Sequence, residues 1–401
     1  MTNVNESTLR EFYEHVYPID LIVQWLSYNI GGGDTNEKKV SNKTCESYLA
    51  RREFCFTMIG DIFTRFRSYG SAAELKSDLV KNFPEKIDVG AVYNIRPNQK
   101  QNVIDFQALE RELVFDIDMS DYDNVRSCCK GKHICVHCWT WMSCAAMVLK
   151  TLLEEDFGFN YLLPVYSGRR GIHVWVCDRR ARQMSNDERS ALVGYLTVVT
   201  SKSSRSSVVK DLANHKPIHP SIRHALQDIV DPSFNALFIS SSSDNPNNIA
   251  HNAAAASIVY ETILTVLKEG RRDALQRFQE HVEYTPNAVL NWSVVLQNLG
   301  ATESEMQDIV FAAEIILMFP RLDEHVSTRR DHLLKLPFCI HPGTGSLCCP
   351  LEWHELKSFD PSSHSPSLSS ILLERDIDSK WKHPMVNLLQ RMGEDDSELQ
   401  A

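Results

Sequence analysis

The chain has 401 residues, 43% hydrophobic and 23% charged, with a formal charge of -10, which fits one large globular domain or two to three smaller ones. That acidity excludes a surface broadly attractive to polyanions, so any contact with nucleic acid must rest on local clusters such as Arg169-Arg170, Arg179, Arg180 and Arg182, or Arg329-Arg330. The opening MTNVNESTLREFYEH lacks a basic region ahead of an apolar stretch, and the most apolar run, 309–319, is short and holds Glu314; neither a signal peptide nor a membrane span is expected, and the eleven cysteines read as thiols in a reducing compartment.

In chain order, residues 7–29 and 45–80 show apolar spacings of three and four and read as helices, separated by a loop with Gly31-Gly32-Gly33. Strands follow near 86–93 and 112–119, then an amphipathic helix over 141–157 ending near Gly158. YLLPVYSG (161–168) and GIHVWVCD (171–178) are apolar runs around Arg169-Arg170, the pattern of a β-hairpin with glycines at its turn. From about 183 to 305, Ser-rich loops, SKSSRSS and SSSSDNPNN, alternate with helical stretches such as AAAASIVYETILTVLKEGRRDALQRFQEHV, which reads as a helical insertion. Strand-like or mixed structure returns at 319–349, and GEDDSELQA reads as a disordered acidic tail over 386–401.

The stretch ELVFDIDMSDYDNVRSCC (112–129) carries the chemistry. Side chains alternate faces along a strand, so Asp116 and Asp118 point the same way while Leu113, Phe115, Ile117 and Met119 fill the other face. Carboxylates that close raise each other's pKa unless a cation lies between them, and Mg²⁺ or Mn²⁺ suits oxygen donors. A lone D-x-D is equally what two exposed acids at a strand edge look like. Cys128-Cys129, Cys135 and Cys138 supply four soft ligands within eleven residues, enough to close a tetrahedral structural zinc site that folds a small lobe without doing chemistry. Trp139 and Trp141 read as core, and Cys348-Cys349 as buried or incidental. In SGRRGIH the guanidinium forks of Arg169 and Arg170 can reach phosphate oxygens, with Ser167 and His173 able to add hydrogen bonds.

Taken together, VFDIDM, the CC-x5-C-x2-C cluster, YSGRRGIH and PRLDEHVS…HLLKLPFCIHPGTG resemble the catalytic small subunits of eukaryotic DNA primase, of the archaeo-eukaryotic primase superfamily. RREFCFTMIGDIFTRF and KIDVGAVYNIRPNQ extend the resemblance, which covers roughly 8–182 and 317–352; within 183–316 little beyond KPIHPSIRHAL matches. It implies an α/β (α+β) fold: a mixed-sheet primase catalytic core over 1–182 and 317–385, with a zinc-binding lobe at about 120–145 and the helical insertion at 183–316. It implies a catalytic triad of Asp116, Asp118 and Asp323 holding two Mg²⁺ or Mn²⁺ ions, and zinc on Cys128, Cys129, Cys135 and Cys138. Ser167, Arg169, Arg170, His173, Lys335, His341 and Arg65 would bind the incoming nucleotide, with Glu53 and Lys86 as further residues of that site. Phe63 stands where the family often has a tyrosine.

The activity so implied is primer synthesis by a DNA-directed RNA polymerase on single-stranded DNA with NTP substrates, in a heterodimer with the primase large subunit, tethered to the DNA polymerase alpha complex in the nucleus. A superfamily relative that extends with deoxynucleotides, or a catalytically inert zinc-dependent scaffold subunit, stays open at this stage; the full set of acids and phosphate-binding residues argues against the scaffold.

Overall fold

The structure, a computed structural model, describes residues 4–28, 47–199, 203–214, 218–239, 248–270 and 302–398. The chain opens on helices α1 (Glu6–His15) and α2 (Ile19–Ser27), where a single helix over 7–29 was expected. Pro18 divides them: it has no N–H to continue the first helix and serves as N-cap of the second. The larger departure is at 45–80. This span holds a 3₁₀ turn, strands β1 (Arg52–Met58) and β2 (Ile62–Arg67), and only then helix α3 (Ala72–Asn82). Nearly every residue of β1 is buried on both faces, so its apolar positions fall at helical spacings by accident, and positive φ at Gly60 and Asp61 folds the chain back into a hairpin. Gly31-Gly32-Gly33, most of the 240–248 serine loop and the stretch 271–301 lie outside the described residues.

Strand β3 (Lys86–Tyr93) pairs with β1, with β4 (Ala108–Glu110) and with the two-residue β8 (Leu334–Lys335), completing a five-stranded sheet in the order β2-β1-β3-β4 with β8 beside β3. A second sheet, in the order β5-β7-β6, is built from β5 (Leu113–Asp118), β6 (Leu162–Tyr166) and β7 (Gly171–Val176). The expected hairpin over 161–178 is β6–β7, and every described pair in both sheets is antiparallel. The helix α4 (Val136–Glu155) buries Trp139 and Trp141 in the core, their indole N–H groups donating to the carbonyls of Leu356 at 2.8 Å and Leu317 at 3.0 Å.

Past 183 the described chain is helical, and the helix Asn248–Gly270 packs on Arg205–Asn214 and on Glu303–Met318. Glu303–Met318 returns the chain to the core at Phe319 and passes directly to Asp323. Beyond it the expected strand-like character shrinks to β8 and isolated bridges such as Ile340↔Leu347 and Val165↔Pro350. The acidic tail needs correction: a helix runs from Ser379 to Glu398, through residues read from composition as disordered. Trp381, Met385 and Leu388 are buried on one face of it, and that anchorage offsets the polar composition of its last turns. No described helix is long and apolar enough to cross a membrane.

Candidate active site

Three segments distant in sequence meet at the ends of β5 and β7. In register, Asp116 faces His173 and Asp118 faces Gly171, so both acids stand on one edge of the second sheet next to the turn carrying Arg169 and Arg170. Phe115 and Ile117, opposite in phase, are fully buried. The third segment arrives through backbone: the Asp323 N–H donates to the Asp116 carbonyl at 3.1 Å. Asp323 is the N-cap of the short helix Glu324–Thr328, its carboxylate accepting from the His325 N–H at 3.1 Å. That helix is pinned at its far end by Arg111, which donates to the carbonyls of Val326 at 2.8 Å and Arg329 at 3.1 Å, and by the Ser327 hydroxyl, which donates to the Val114 carbonyl at 2.6 Å.

The acids are not equivalent. Burial first, then the neighbouring charges of Asp118 and Asp323, push the Asp116 carboxyl up to about 7, with Lys335 partly opposing. Asp118 is held by Arg170, whose Nε lies 2.7 Å from one carboxylate oxygen and 3.0 Å from the other, and it accepts from the Ser120 N–H at 2.8 Å and hydroxyl at 2.7 Å. His173 Nε2 lies 3.5 Å from Asp116, and its Nδ1 is buried with no hydrogen-bond partner among the described residues. Burial, with the Lys335 charge second, drops the His173 pKa to about 3, so the ring is neutral at physiological pH.

The turn between β6 and β7 is tied to the β8 region. Lys335 Nζ donates to the Ser167 carbonyl at 2.6 Å, the Cys348 thiol to the same oxygen at 3.0 Å, and the Thr344 hydroxyl to the Gly168 carbonyl at 2.7 Å. The Ser167 hydroxyl accepts from the Gly171 N–H at 2.9 Å, closing the turn. Gly168 has φ +83, and a Cβ there would meet the His341 Cβ at 2.9 Å. His341 is held neutral, its pKa down to about 3, by burial and then by Lys335, Arg169 and Lys86.

The first sheet closes the floor. Asp88 pairs in register with Cys55 on one side and Lys335 on the other. Glu53, with no exposed side-chain surface, accepts from Arg65 Nε at 2.9 Å and Nη2 at 3.2 Å, from the Phe66 N–H at 3.3 Å and from the Tyr93 hydroxyl at 3.0 Å. Glu53 is therefore the clamp that aims Arg65, rather than a side chain open to a ligand. Phe63 is 65% exposed on β2. Sequence reasoning passed over Asp88, whose signal was the period-two phase it shares with Lys86 in KIDVG, and over Arg111, which no local pattern marks.

The Cys128, Cys129, Cys135 and Cys138 sulfurs all lie within 4.8 Å of one another, with Cys128 to Cys138 at 3.1 Å and Cys135 to Cys138 at 3.6 Å. A tetrahedral ion with bonds of about 2.3 Å needs sulfur pairs roughly 3.8 Å apart, so the donor set fits a thiophilic metal. Cys135 is the N-cap of α4 and Cys138 lies in its first turn, which fixes two of the four ligands on a rigid element. Asp116 and Asp118 offer oxygen donors of the kind hard divalent cations prefer, and Asp323 lies next to them through its backbone bond to Asp116; among the described residues, the ligand atoms that already lie within reach of a single ion are those of the four cysteines.

The DNA primase small subunit family profile matches residues 115–353. The chain is 33% identical to a DNA primase small subunit of Drosophila melanogaster over 92% of this chain and 82% of the relative, and 33% identical to one of Schizosaccharomyces pombe over 94% and 79%. A Saccharomyces cerevisiae DNA primase small subunit is 28% identical over 96% of this chain and 90% of its own length. The polymerase domain of Mycobacterium tuberculosis ligase D, solved in complex with DNA, aligns at TM-score 0.36 and 11% identity over 92% of this chain and 96% of that one, a likeness too distant to bear on the site. The family profile and the relatives define the class first: a nucleotidyltransferase with primase activity. More particularly, the chain belongs to the DNA primase small subunit family, whose catalytic work lies in DNA replication.

Proposed function

We propose that this chain joins ribonucleotides into short primers on a single-stranded DNA template, with Asp116, Asp118 and Asp323 as ligands of two Mg²⁺ or Mn²⁺ ions. One observation carries the reading: two acids of β5 share an edge beside an arginine-bearing turn, and the backbone of a third acid is hydrogen-bonded to the first. The bound cations would supply activation of the attacking hydroxyl and charge stabilisation of the leaving pyrophosphate. The primer 3′-hydroxyl attacks the α-phosphate of the incoming NTP in line, and pyrophosphate departs.

The chain's own groups prepare that step. Arg170, now held by Asp118, turns to the triphosphate once the carboxylate is engaged, and Arg169, Lys335 and Arg65 meet the remaining phosphate charge as guanidinium and ammonium donors. His173 and His341, kept neutral by burial, offer single N–H donors without adding charge. Ser167 shapes the turn through its hydroxyl and carbonyl, and Lys86 adds positive potential beside His341. Glu53 acts through Arg65. Zinc on the four cysteines would fold the lobe that follows β5.

In this reading the protein works in the nucleus as one half of a heterodimer with the primase large subunit, delivering primers to the DNA polymerase alpha complex. Asp116→Asn is the test. Template-dependent RNA synthesis, assayed with the large subunit, should be abolished while zinc content stays at the wild-type value and the melting temperature does not fall. Retained synthesis would refute the role given to Asp116.

A further inference from the structure

Between the cysteine cluster and the carboxylates runs a line of groups that ligates neither. Arg126 is 2% exposed, and its Nη1 donates to the Cys138 sulfur at 3.4 Å and to the His133 carbonyl at 2.9 Å. Its Nε donates to Asp123 Oδ1 at 3.0 Å, Nη2 pairs with the same oxygen, and Nη2 reaches the Gly131 carbonyl at 3.3 Å. The other Asp123 oxygen accepts from the Gly131 N–H at 2.9 Å. Gly131, at φ +59, therefore has both halves of its backbone gripped from the cluster side. Its carbonyl also accepts from Arg170 Nη1 at 3.4 Å, the arginine that holds Asp118.

We propose that Asp123 and Arg126 are positioning residues that couple occupancy of the cysteine cluster to the posture of Arg170 through the Gly131 carbonyl. This rests on the reading of Asp118 and Arg170 given above. When cations claim the oxygens of Asp118, Arg170 loses its carboxylate partner, and the Gly131 carbonyl is the other acceptor of its guanidinium among the described residues. Gly131 lies between the ligands Cys129 and Cys135, so an ion that ties those two cysteines together also fixes the loop that presents this carbonyl. Arg126 adds a second tie, a buried cation that compensates the negative charge of the thiolates while holding Gly131. Such coupling is reciprocal: a triphosphate that engages Arg170 must also steady the lobe and its metal.

The test uses the full chain loaded with zinc. Release of zinc to a chromogenic chelator is timed with and without ATP and Mg²⁺, and the NTP dependence of primer synthesis is measured in parallel. In the wild type, ATP should slow zinc release about fivefold or more. Asp123→Asn, nearly isosteric and at a partly exposed position, should erase that protection and raise KM for NTP about tenfold with a smaller change in kcat. Arg126→Lys should do the same, and if it fails to fold the Asp123 variant carries the test alone.

Asp123→Asn with wild-type KM and wild-type protection would overturn the proposal. So would a variant that sheds its zinc equally with and without ATP while keeping KM, since that marks a role in the lobe's structure only. Asp116→Asn separates the two levels. If it retains synthesis, the site reading fails; if it is inactive while Asp123→Asn behaves as wild type, the coupling alone fails.

Discussion

Gly168→Ala perturbs the arginine-bearing turn without removing any charged group. At φ +83 a Cβ costs about 1 to 2 kcal/mol in backbone conformation alone. The added atom would also lie 2.9 Å from the His341 Cβ, 3.0 Å from the Cys348 sulfur and 3.1 Å from the Ser346 carbonyl, where backbone and a Cβ cannot swing aside, so overpacking adds about 1 to 3 kcal/mol. The expected loss is about 2 to 5 kcal/mol, or a melting temperature lower by about 2 to 6 °C for a chain of this length. Because the same turn carries Arg169 and Arg170 and is anchored by Lys335, KM for NTP should rise as well. Gly60→Ala is the control: its φ is +88 but nothing lies within 4 Å of its Cβ, so it should cost about 1 kcal/mol and leave primer synthesis intact. Differential scanning fluorimetry with NTP titrations reads both variants. Equal melting temperatures for the two, with wild-type KM at Gly168→Ala, would refute the reasoning.

Three further outcomes follow from the same geometry. Metal analysis should find about one zinc per chain, lost in Cys135→Ser, with the melting temperature falling as the lobe loses its ion. Glu53→Gln keeps the size of the clamp but removes its charge, and should raise KM for NTP about tenfold, about 1.4 kcal/mol, through a loosened Arg65. Glu314 is buried in the helix Glu303–Met318, its carboxyl pushed up to about 9 by burial and then by Asp231, against an ordinary value of 4.5. The unfolded chain releases this proton near 4.5 and the folded one near 9, so stability falls as pH rises between them; Glu314→Gln should raise the melting temperature more at pH 8 than at pH 5.

What could be read from the sequence was whatever local phase dictates. Asp116 and Asp118 declared their shared face because the apolar residues between and around them alternate, and the β6–β7 hairpin declared itself through two apolar runs flanking a glycine-bounded turn. The four cysteines were legible from spacing alone. Strand β1 was misread because burial on both faces erases the period-two signal, leaving apolar spacings that serve a helix equally well. The final helix was misread because its stability comes from Trp381 and Met385 docking on the core, which the acidic composition of GEDDSELQA does not reveal. Glu53 came to the nucleotide site by resemblance alone; its burial and its pairing with Arg65 are not marked by any local pattern. Arg111 and Asp88 act through partners far along the chain or across strands, and Arg126 through Asp123, Gly131, His133 and Cys138 in an irregular loop, and no periodicity marks such pairings.

The central claim is that Asp323 shares ions with Asp116 and Asp118. Titrating Mn²⁺ into the wild type and into Asp323→Asn, by electron paramagnetic resonance with primer synthesis measured alongside, tests it most directly. The variant should lose high-affinity Mn²⁺ binding, and synthesis should fall by about 10²- to 10³-fold, with zinc content and melting temperature unchanged. Wild-type Mn²⁺ stoichiometry and affinity in a folded Asp323→Asn chain would contradict the account.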